Sequence, residues 1–427
     1  MCYAIPGQIV KIKDRLAVVD YFGECRNVLR DFSDVKIGDF VYAQGGIIIN
    51  KIPEGEAKEI LEFWQDKFFE LKKIDRRVSK IHQSKVSDNL LAILQKVNLN
   101  QKLADDDLLK LLNASAEQEL KLVFETANNI RQKEHDNACC VHGIIEFSNY
   151  CQNNCWYCGI RKSQKIDRYR MSLDEIIKAA KSAVNKLGFK ALVLQSGEDN
   201  WYTEDKLVRL VKEIKKLNVL IFLSIGERPK KTYKKLYEAG ARANLLRFEI
   251  SNKKIFQKLR PGADFDKRLE LIEYTKKLGY ILATGFLVGL PNETSDDIIN
   301  NIKLTKSLKA DMYSFGPLIP AAGTPLKNQK KVDKNLLLKI IAITRSLDRQ
   351  AKILVTTALE TLDKNAKRAG LLAGANSLML NITPSNFRKK YIIYPGRPDM
   401  DKEINQSVKE TINLLYSIGR APTDVGI

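Results

Sequence analysis

Apolar and polar positions alternate through about the first fifty residues, in short runs separated by glycine, aspartate and charged turns. The runs are GQIVKIK, LAVVDYF, RNVLRDF and DFVYAQGGIIINKI. Alternation with period two is typical of strands, and several short strands with turn signals between them predict a small antiparallel barrel. A helix follows, because apolar residues recur at helical spacing at Ile60, Leu61, Trp64, Phe68, Leu71 and Ile74.

The pattern then changes twice before residue 141. Residues 76–87 are polar and basic, and predict a linker after a first domain that spans residues 1–75. Residues 88–140 return to helical periodicity in LLAILQKV, DDDLLKLLNAS and LKLVFETANNIRQK. This segment therefore predicts a helical lead-in to a second, larger domain.

Residues 141–427 show apolar strand-like runs, each followed by a helix-period segment. The runs are IIEFS, ALVLQS, VLIFLS, ANLLRFEI, ILATGFLVG, DMYSFGP, KILVTT and NSLMLNI. They are continuously apolar, as expected for parallel strands that are buried on both faces. Eight such units predict a (β/α)8 barrel, which typically needs about 250 residues. The predicted fold class is therefore α/β, with a small all-β barrel in front.

Composition and charge narrow the function classes. The chain has 427 residues, 44% of them apolar and 29% charged, which excludes collagen-like and wholly disordered classes. No apolar run approaches the length of a membrane span, and charged residues come too early for a signal peptide, so we expect a cytoplasmic protein. The net charge is +20, but basic residues are interleaved with acids, which argues against a nucleic-acid partner. A basic surface suits an acidic partner such as a ferredoxin that donates electrons.

Three of the seven cysteines, Cys151, Cys155 and Cys158, lie within one short segment after the first predicted barrel strand. Three thiolates at this spacing bind three irons of a 4Fe–4S cluster and leave the fourth iron open to a chelating molecule. Tyr157 would cover the cluster. A closed zinc site needs four ligands, and His142 is expected at the other end of the strand. Cys25, Cys139 and Cys140 are assigned to packing.

The segment CQNNCWYCG resembles the signature of the radical S-adenosylmethionine (SAM) superfamily. The resemblance implies that the amino and carboxylate groups of SAM chelate the open iron. It also implies reductive cleavage of SAM to methionine and a 5′-deoxyadenosyl radical. The barrel predicted from the strand pattern agrees with the fold of this superfamily.

Polar residues follow most of the predicted barrel strands, at the end where active sites of such barrels lie. Glycines and acids follow strand two in QSGED and strand three in SIGE, and Arg247 lies on strand four. Such residues are costly to bury without partners. The set therefore predicts a polar, closed chamber, in which Arg247 would bind an anion such as a carboxylate.

Nine segments together resemble the FeFe-hydrogenase maturase family HydE: EFSNYC, CGIRKSQKIDRYRMS, LQSGED, LLRFE, KLRPGADFDKRL, VGLPNET, LIPAAGTPL, ITPSNFRKKY and YPGR. The resemblance implies that Glu227 and Arg247 bind SAM, with the Ser196-Gly197-Glu198 turn at the same site. It implies a substrate chamber formed by Thr356, Thr357, Met379, Tyr391 and Tyr394.

The same resemblance implies an activity in hydrogenase maturation. The expected substrate is a small iron complex that carries cysteine, carbon monoxide and cyanide, and the adenosyl radical attacks its cysteine sulfur. No cysteine follows Cys158, which excludes an auxiliary cluster held by C-terminal cysteines and disfavours biotin synthase.

The start of the chain, MCYAIPGQIV with a later VKIGDFVYA, resembles the hydrogenase maturation chaperone family HypC. The resemblance implies that Cys2 binds an iron–cyanide–carbonyl intermediate together with other maturation proteins. The family usually has a histidine where this chain has Gln44, so a docking module with an idle Cys2 is the alternative.

Two further functions stay open from the sequence. One is a radical SAM enzyme with a small organic substrate, such as a methylornithine synthase, which shares the cysteine spacing. The other is a non-catalytic scaffold for metallocentre assembly. Cleavage of SAM in the presence of a reductant separates the scaffold from either enzyme.

Overall fold

The computed structural model describes residues 3–30, 33–82, 84–398 and 400–425. The chain begins with a closed five-stranded barrel, which confirms the predicted small β-domain. Its strands are β1 (Gly7–Lys13), β2 (Leu16–Tyr21), β3 (Glu24–Leu29), β4 (Phe40–Gln44) and β5 (Ile47–Ile52), in the order β1-β2-β3-β5-β4. The last predicted run forms two strands because Gly45 and Gly46 adopt positive φ angles and reverse the chain.

The helix α1 (Glu54–Val78) packs on this barrel through Trp64, Phe68 and Leu71, as the helical spacing predicts. It continues past the predicted domain boundary at residue 75. Asp75 is 1% exposed and forms an ion pair with a buried arginine of the next segment, so this helical turn belongs to a packed interface. We call residues 3–78 the N-terminal module.

Three helices form the predicted lead-in: α2 (Asp88–Asn98), α3 (Asp105–Asn113) and α4 (Glu117–His135). The first barrel strand, β6 (Ala138–Ser148), begins earlier than the apolar run IIEFS indicates. Cys139 and Cys140 therefore lie inside this strand and not before it. The predicted end of the lead-in at residue 140 is therefore too late, because the strand begins at Ala138, where its first residues pair with the C-terminal segment.

Eight parallel strands form the predicted (β/α)8 barrel, and the last pairs with the first to close it. They are β6, β7 (Ala191–Ser196), β8 (Leu220–Ser224), β9 (Ala243–Leu245), β10 (Ile281–Thr284), β12 (Met312–Tyr313), β14 (Lys352–Val355) and β15 (Ser377–Asn381). The C-terminal strand β16 (Ala421–Pro422) adds to the lower part of β6 outside the closed ring.

Helices follow the strands and cover the outside of the barrel. They are α5 (Leu173–Leu187), α6 (Glu204–Lys215), α7 (Lys230–Ala239), α8 (Lys253–Leu259), α9 (Phe265–Lys277), α10 (Ser295–Ser307), α11 (Lys334–Leu347), α12 (Thr357–Glu360), α13 (Ala366–Leu372), α14 (Ser385–Arg388) and α15 (Ile404–Ser417). Local signals set their ends. In α5, Ser172 and Glu175 form a capping box, and Gly188 ends the helix in a left-handed conformation.

Two of the predicted strands are interrupted. The runs ILATGFLVG and DMYSFGP continue as β11 (Leu287–Val288) and β13 (Gly316–Pro317), which pair with each other above the barrel. The break falls at Gly285, whose φ of +157° brings its backbone against Ser314. In the described part of the chain, no helix combines the length and apolar character needed to cross a membrane.

The N-terminal module covers the end of the large barrel where the strands begin. A Cβ on Gly45 would lie 2.6 Å from Ile281 Cδ1 and 3.0 Å from Leu220 Cδ2, at the first residues of two barrel strands. Lys190, just before β7, places its Nζ 4.3 Å from the centre of the Tyr42 ring. The opposite end, where the strands finish, stays free to form a site.

A buried ion network ties the module to the rest of the chain. Asp75 receives two hydrogen bonds from Arg131, at 2.8 and 2.9 Å, and lies 3.2 Å from Arg420 Nε. Asn128 accepts hydrogen bonds from both arginines. The network joins α1 to α4 and to the segment before β16. It therefore attaches the module to the segments that precede and follow the barrel in the sequence.

Candidate active site

A cavity of about 290 Å³ opens at the end of the barrel where the strands finish. We call it the chamber. Of the predicted site residues that the structure describes, it is lined by Cys151, Cys155, Tyr157, Cys158, Ser196, Gly197, Glu198, Arg247, Thr356, Thr357, Met379, Tyr391 and Tyr394. Glu227 is the described exception, and Cys2 lies outside the described residues. The topology therefore brings residues from most barrel strands to one enclosed space.

The cysteine segment is a loop that follows β6 and is pinned by backbone hydrogen bonds. Gln152 N–H donates to the Glu198 carbonyl at 3.0 Å, and Trp156 N–H donates to the Leu259 carbonyl at 2.9 Å. Gly159 N–H donates to the Ile393 carbonyl at 2.9 Å. The loop is thus hydrogen-bonded to segments that follow three other strands. Its conformation therefore does not depend on a bound cluster alone.

Burial raises the pKa values of the three thiols of Cys151, Cys155 and Cys158. Such thiols stay protonated without a cation, because thiolates are costly to bury. Bound iron supplies the missing positive charge. Two glycines permit the close packing of this loop, since a Cβ at Gly159 would overlap the Ile392 carbonyl and one at Gly197 would overlap the Tyr150 carbonyl.

Two acids and two arginines form a charged quartet beside the cysteine loop: Glu198, Glu227, Arg260 and Arg268. Arg260 Nη2 lies 3.3 Å from Glu198 Oε1 and 3.8 Å from Glu227 Oε1. Arg268 bonds to Glu227 and lies 3.9 Å from Glu198. Burial opposes ionisation of Glu198, but the two arginines outweigh it and lower its pKa, so it stays charged.

Glu227 lies at the rim of the chamber and does not line it. Its carboxylate is occupied by Arg268, which links it to Glu198, a residue that does line the chamber. Glu227 is therefore connected to the predicted SAM site only indirectly, through Arg268 and Glu198. Arg260 and Arg268, which the sequence analysis did not single out, line the chamber directly.

Arg247 and Glu249 face the chamber from the segment that follows β9. Arg247 Nη2 lies 3.3 Å from Glu249 Oε2. Glu249 has a φ of +71°, a left-handed conformation that is rare for a residue with a side chain and that is held where surrounding structure enforces it. Its Oε2 is buried, and apart from this ion pair with Arg247 it has no hydrogen-bond partner among the described residues.

Hydroxyl groups line the other end of the chamber. Thr357 Oγ1 and Tyr394 Oη are 2.8 Å apart and share a hydrogen bond. Thr356 Oγ1 is buried and has no hydrogen-bond partner within the described residues. Burial raises the pKa values of Tyr391 and Tyr394, so both phenols stay neutral donors at physiological pH. Met379 adds a polarisable thioether to this wall.

A buried ion pair that the sequence analysis missed forms the floor between the two ends. Glu146 is fully buried and accepts hydrogen bonds from Arg397 Nη2 at 2.7 Å and Nη1 at 3.3 Å, as well as from Gln195 and Asn381. Burial opposes the charge of Arg397, but the Glu146 carboxylate outweighs it and raises the arginine's pKa. Glu146 sits within the apolar run IIEFS, and that lone acid is the signal that could have found it.

The residues fit a polar, charged ligand beside an iron–sulfur cluster. Three thiols face one cavity, and three buried polar atoms in its wall have no hydrogen-bond partner within the described residues: Glu249 Oε2, Arg260 Nε and Thr356 Oγ1. Buried polar groups normally find partners. A ligand with ammonium and carboxylate groups would supply partners for the acids and arginines, as SAM does.

Family models match three parts of the chain. The model of the Radical SAM superfamily matches residues 145–305. The model of the HupF/HypC family matches residues 1–64, and that of the Biotin and Thiamin Synthesis associated domain matches residues 314–421. The first two agree with the resemblances found at the cysteine segment and at the start of the chain.

The chain is 41% identical over 301 residues to the [FeFe] hydrogenase maturase subunit HydE of Thermotoga maritima, which covers 70% of this chain and 86% of the relative. It is 33% identical over 323 residues to the 3-methylornithine synthase of Methanosarcina acetivorans, covering 75% of this chain and 90% of that protein. Among solved structures, methylornithine synthase PylB superposes with a TM-score of 0.67 at 27% identity, covering 77% of this chain and 97% of the other.

Proposed function

The chain belongs to the radical SAM family that includes [FeFe] hydrogenase maturase subunit HydE, and on that premise we propose that it acts in FeFe-hydrogenase maturation. It is a radical SAM enzyme that uses a 4Fe–4S cluster and SAM. The proposed substrate is a small cysteine-bound iron complex with carbonyl and cyanide ligands. The observation that carries the proposal is the single chamber, which joins the cysteine loop, a charged quartet and a wall of hydroxyl groups.

At one end of the chamber, the cysteine loop and the neighbouring charged residues have different roles. Cys151, Cys155 and Cys158 would hold the cluster. Glu198 and Arg247, with Arg260, would orient the ammonium and carboxylate groups of SAM through charge-assisted hydrogen bonds. When bound, the cluster and SAM together supply a 5′-deoxyadenosyl radical by reductive cleavage.

The other end of the chamber suits a small, polar, electron-rich substrate. Thr356 and Thr357 provide hydroxyl donors, Tyr391 and Tyr394 provide neutral phenols, and Arg397 provides a charge that Glu146 already balances. Cyanide and carboxylate groups accept hydrogen bonds from such donors. A cavity of about 290 Å³ is on the scale of sites that bind small molecules.

The N-terminal module supports a metallocentre role over an organic one. It matches the HupF/HypC family, and it packs against the barrel. We propose that it receives the iron-bearing substrate from another maturation protein, with Cys2 as a ligand. Gln44, at the position usual for a histidine, is fully buried and its Nε2 donates to the Tyr3 carbonyl, so a ligand role for its side chain needs rearrangement.

The second candidate is a radical SAM enzyme with a small organic substrate. The 33% identity to 3-methylornithine synthase over most of both chains favours it. The higher identity to the hydrogenase maturase and the HupF/HypC match at residues 1–64 favour the maturation enzyme.

The proposed function is tested by activation of an apo-hydrogenase in an anaerobic mixture that lacks only a HydE activity. Wild-type chain with a reconstituted cluster should restore hydrogen evolution, and Cys155→Ser should restore none. A Cys25→Ser control, at an exposed cysteine of the module, should match wild type. Failure of the wild-type chain in a mixture that the Thermotoga relative activates would overturn the proposal.

The role of the module is tested in the same assay with Cys2→Ala. The proposal predicts a slower activation when the iron substrate comes from another protein, and a normal rate when a free synthetic iron complex is added. A Cys2→Ala variant that activates hydrogenase as fast as wild type under both conditions would remove the carrier role and leave a docking module.

A further inference from the structure

The strand β6 points side chains into the barrel at every second position along its length. Cys140, His142, Ile144 and Glu146 share this inward face, because side chains alternate along a strand. Glu146 and Ile144 line the chamber, and the His142 ring lies 4.7 Å from the ring of Phe222, inside the barrel. Cys140 and His142 therefore lie below the chamber, toward the end that the N-terminal module covers.

An apolar layer lies around His142 and extends from there to the chamber. It is formed by inward-facing side chains of the barrel strands: Ile144, Ala191, Val193, Leu220, Phe222, Ala243, Ala283, Met312, Leu354 and Met379. Two hydrophilic groups below such a layer are not part of the chamber. Their presence in the interior of a barrel requires a reason of its own, because buried polar groups are costly unless they are partnered.

Asp424 completes a compact cluster with them. One ligating atom from each of Cys140, His142 and Asp424 lies within 4.8 Å of the other two, and all three residues are buried. The segment after β16 delivers Asp424, because β16 pairs with Ala138 and Cys139 of β6. His142 Nε2 and Asp424 Oδ2 are 3.4 Å apart.

The surroundings hold the aspartate and leave the imidazole available. Asp424 Oδ2 accepts hydrogen bonds from Val141 N–H at 3.0 Å and from Thr423 Oγ1–H at 2.8 Å, which orient the carboxylate as partners of metal ligands do. His142 Nδ1 is buried and has no hydrogen-bond partner within residues that the structure describes. A metal would bind Nε2, the nitrogen near Asp424, and Nδ1 would then carry the proton of the neutral ring.

The three groups form a donor set for a transition metal. Thiolate, imidazole and carboxylate are the ligands of zinc and of related divalent ions. With metal bonds of about 2.0 to 2.3 Å, tetrahedral ligand atoms are separated by about 3.3 to 3.8 Å. The 3.4 Å between His142 Nε2 and Asp424 Oδ2 lies in this range, and the Cys140 sulfur lies within 4.8 Å of the other two ligating atoms. On binding, Cys140 loses its proton to solvent and forms the metal–sulfur bond.

The ionisation of the cluster is compatible with this chemistry. Burial lowers the pKa of His142, which keeps the imidazole in its neutral, ligating form. Burial raises the pKa of the Cys140 thiol, and a bound metal cation would favour the thiolate.

We propose that Cys140, His142 and Asp424 bind one divalent transition-metal ion, Zn²⁺ or Fe²⁺, between the apolar layer and the N-terminal module. The fourth position is open to water or to a ligand from outside the cluster. The site is separate from the cysteine loop of the chamber. Its existence does not depend on SAM chemistry, so it can fail while the proposed function stands, and the reverse also holds.

The test uses Co²⁺ as a spectroscopic probe and the full-length chain under reducing conditions. In a background with Cys2, Cys25, Cys151, Cys155 and Cys158 all changed to Ser, only Cys139 and Cys140 remain as thiols. We expect one equivalent of Co²⁺ to produce a thiolate-to-cobalt charge-transfer band in the near ultraviolet. Added Zn²⁺ should abolish the band by competition.

Matched variants locate the ligands. Cys140→Ser should remove the band, whereas Cys139→Ser, one residue away on the outer face of β6, should retain it. His142→Phe keeps a ring against Phe222 and should weaken binding by roughly tenfold or more. Circular dichroism checks that each variant is folded, and Asp424→Asn, which keeps the acceptor for Val141, provides a second route if Cys140→Ser is unstable.

Three results would overturn the proposal. One is the absence of a saturable cobalt band in the folded background protein. Another is a band that persists in Cys140→Ser or disappears in Cys139→Ser. The third is cobalt affinity that is equal in the background protein and in both His142→Phe and Asp424→Asn.

Discussion

At the scale of single residues, the chamber depends on charges that compensate one another. Glu146 and Arg397 form a two-point ion pair, and Glu198 is paired with Arg260. A buried charge that loses its partner typically costs 3–5 kcal/mol, so neither pair tolerates removal of one member without a penalty. This requirement explains why acids and arginines line the chamber in pairs.

We predict that Arg397→Lys impairs the substrate end of the chamber and leaves the SAM end intact. A lysine cannot form the two-point bond to Glu146, so donors near Tyr391 and Tyr394 lose their positions. Affinity for SAM should stay within about twofold of wild type, while deoxyadenosine formation with the iron substrate should fall by roughly tenfold or more.

Equilibrium dialysis measures the SAM affinity, and chromatography measures deoxyadenosine. Arg368→Lys, at an exposed position on α13, serves as the control and should leave both values unchanged. Equal losses of SAM affinity and turnover in Arg397→Lys would contradict the division of the chamber into two ends.

The sequence predicted those site residues that stand close together in one recognisable motif. Cys151, Cys155 and Cys158 lie within eight positions and define a loop by themselves. Arg260 and Arg268 lie in the quoted segment KLRPGADFDKRL but received no role, because Arg260 ends α8, Arg268 lies on α9, and both enter the chamber only through tertiary packing. Which of many arginines has a buried acid as a partner is a tertiary property.

At the scale of elements, the segments after the strands set the shape of the SAM end. Gly226 follows β8 with a φ of +72°, and a Cβ there would overlap the Glu198 side chain. The glycine therefore serves both the turn and the position of Glu198. The sequence indicated a glycine at this turn but not the residue against which it packs.

Gly226→Ala is therefore expected to weaken SAM binding by roughly tenfold, because the methyl group displaces Glu198 from Arg260. Gly38→Ala is the matched control: its φ is +92°, but a Cβ there meets no atom within 4 Å among the described residues. Gly38→Ala therefore introduces the same kind of backbone strain but no steric overlap with a neighbouring side chain. SAM affinity that is unchanged in Gly226→Ala, measured by isothermal titration, would refute this account.

The turn after β11 contains a titrating group. Burial raises the pKa of Glu293 from 4.5 to about 7, while its Oε2 accepts hydrogen bonds from the Gly289 and Leu290 N–H groups. A carboxyl whose pKa is higher in the folded state stabilises the fold at low pH. That contribution is complete below about pH 4.5 and is lost as the pH rises through about 7.

We predict that Glu293→Gln makes the protein more stable than wild type at pH 8, by about 2 kcal/mol, and removes the decline between pH 5 and 8 that this group causes. Urea unfolding at several pH values measures the difference. Glu238→Gln, at an exposed site on α7, is the control. A difference between Glu293→Gln and wild type that does not change with pH would contradict the raised pKa.

At the scale of the whole molecule, one buried network connects the N-terminal module with the segments that precede and follow the barrel in the sequence. Asp75 joins α1 to Arg131 of α4 and to Arg420 near β16. The sequence placed Asp75 at the end of the first domain, directly before a polar linker, and a charged residue there carries no local sign of its burial. Contact between the two domains depends on a partner 56 residues away in the chain.

We predict that Asp75→Asn lowers the free energy of unfolding by about 3 kcal/mol, because two buried arginines then lose their counter-charge. Cleavage by protease in the segment between α1 and α2 should accelerate. Asp66→Asn, on the exposed face of the same helix, should change neither value. An Asp75→Asn variant as stable and as resistant as wild type would show that the network does not hold the module in place.

The number of barrel strands and the location of the chamber were predictable, because βα alternation and the parallel direction of the strands fix both. The placement of the module beneath the barrel was not. It depends on Gly45, whose turn fits against Ile281 and Leu220, and a turn sequence alone names no partner. The module thus lies at the end of the barrel opposite the chamber, and a carrier role requires delivery around the barrel or through a change of its position.

The central claim is that the chamber couples SAM cleavage to a small iron substrate. The most direct measurement is anaerobic formation of 5′-deoxyadenosine by the reconstituted, reduced enzyme, with and without a synthetic iron complex that carries cysteine, carbon monoxide and cyanide. The account predicts strong stimulation by the complex and none by amino acids such as lysine. Stimulation by lysine with no response to the iron complex would contradict it and would favour the organic-substrate enzyme.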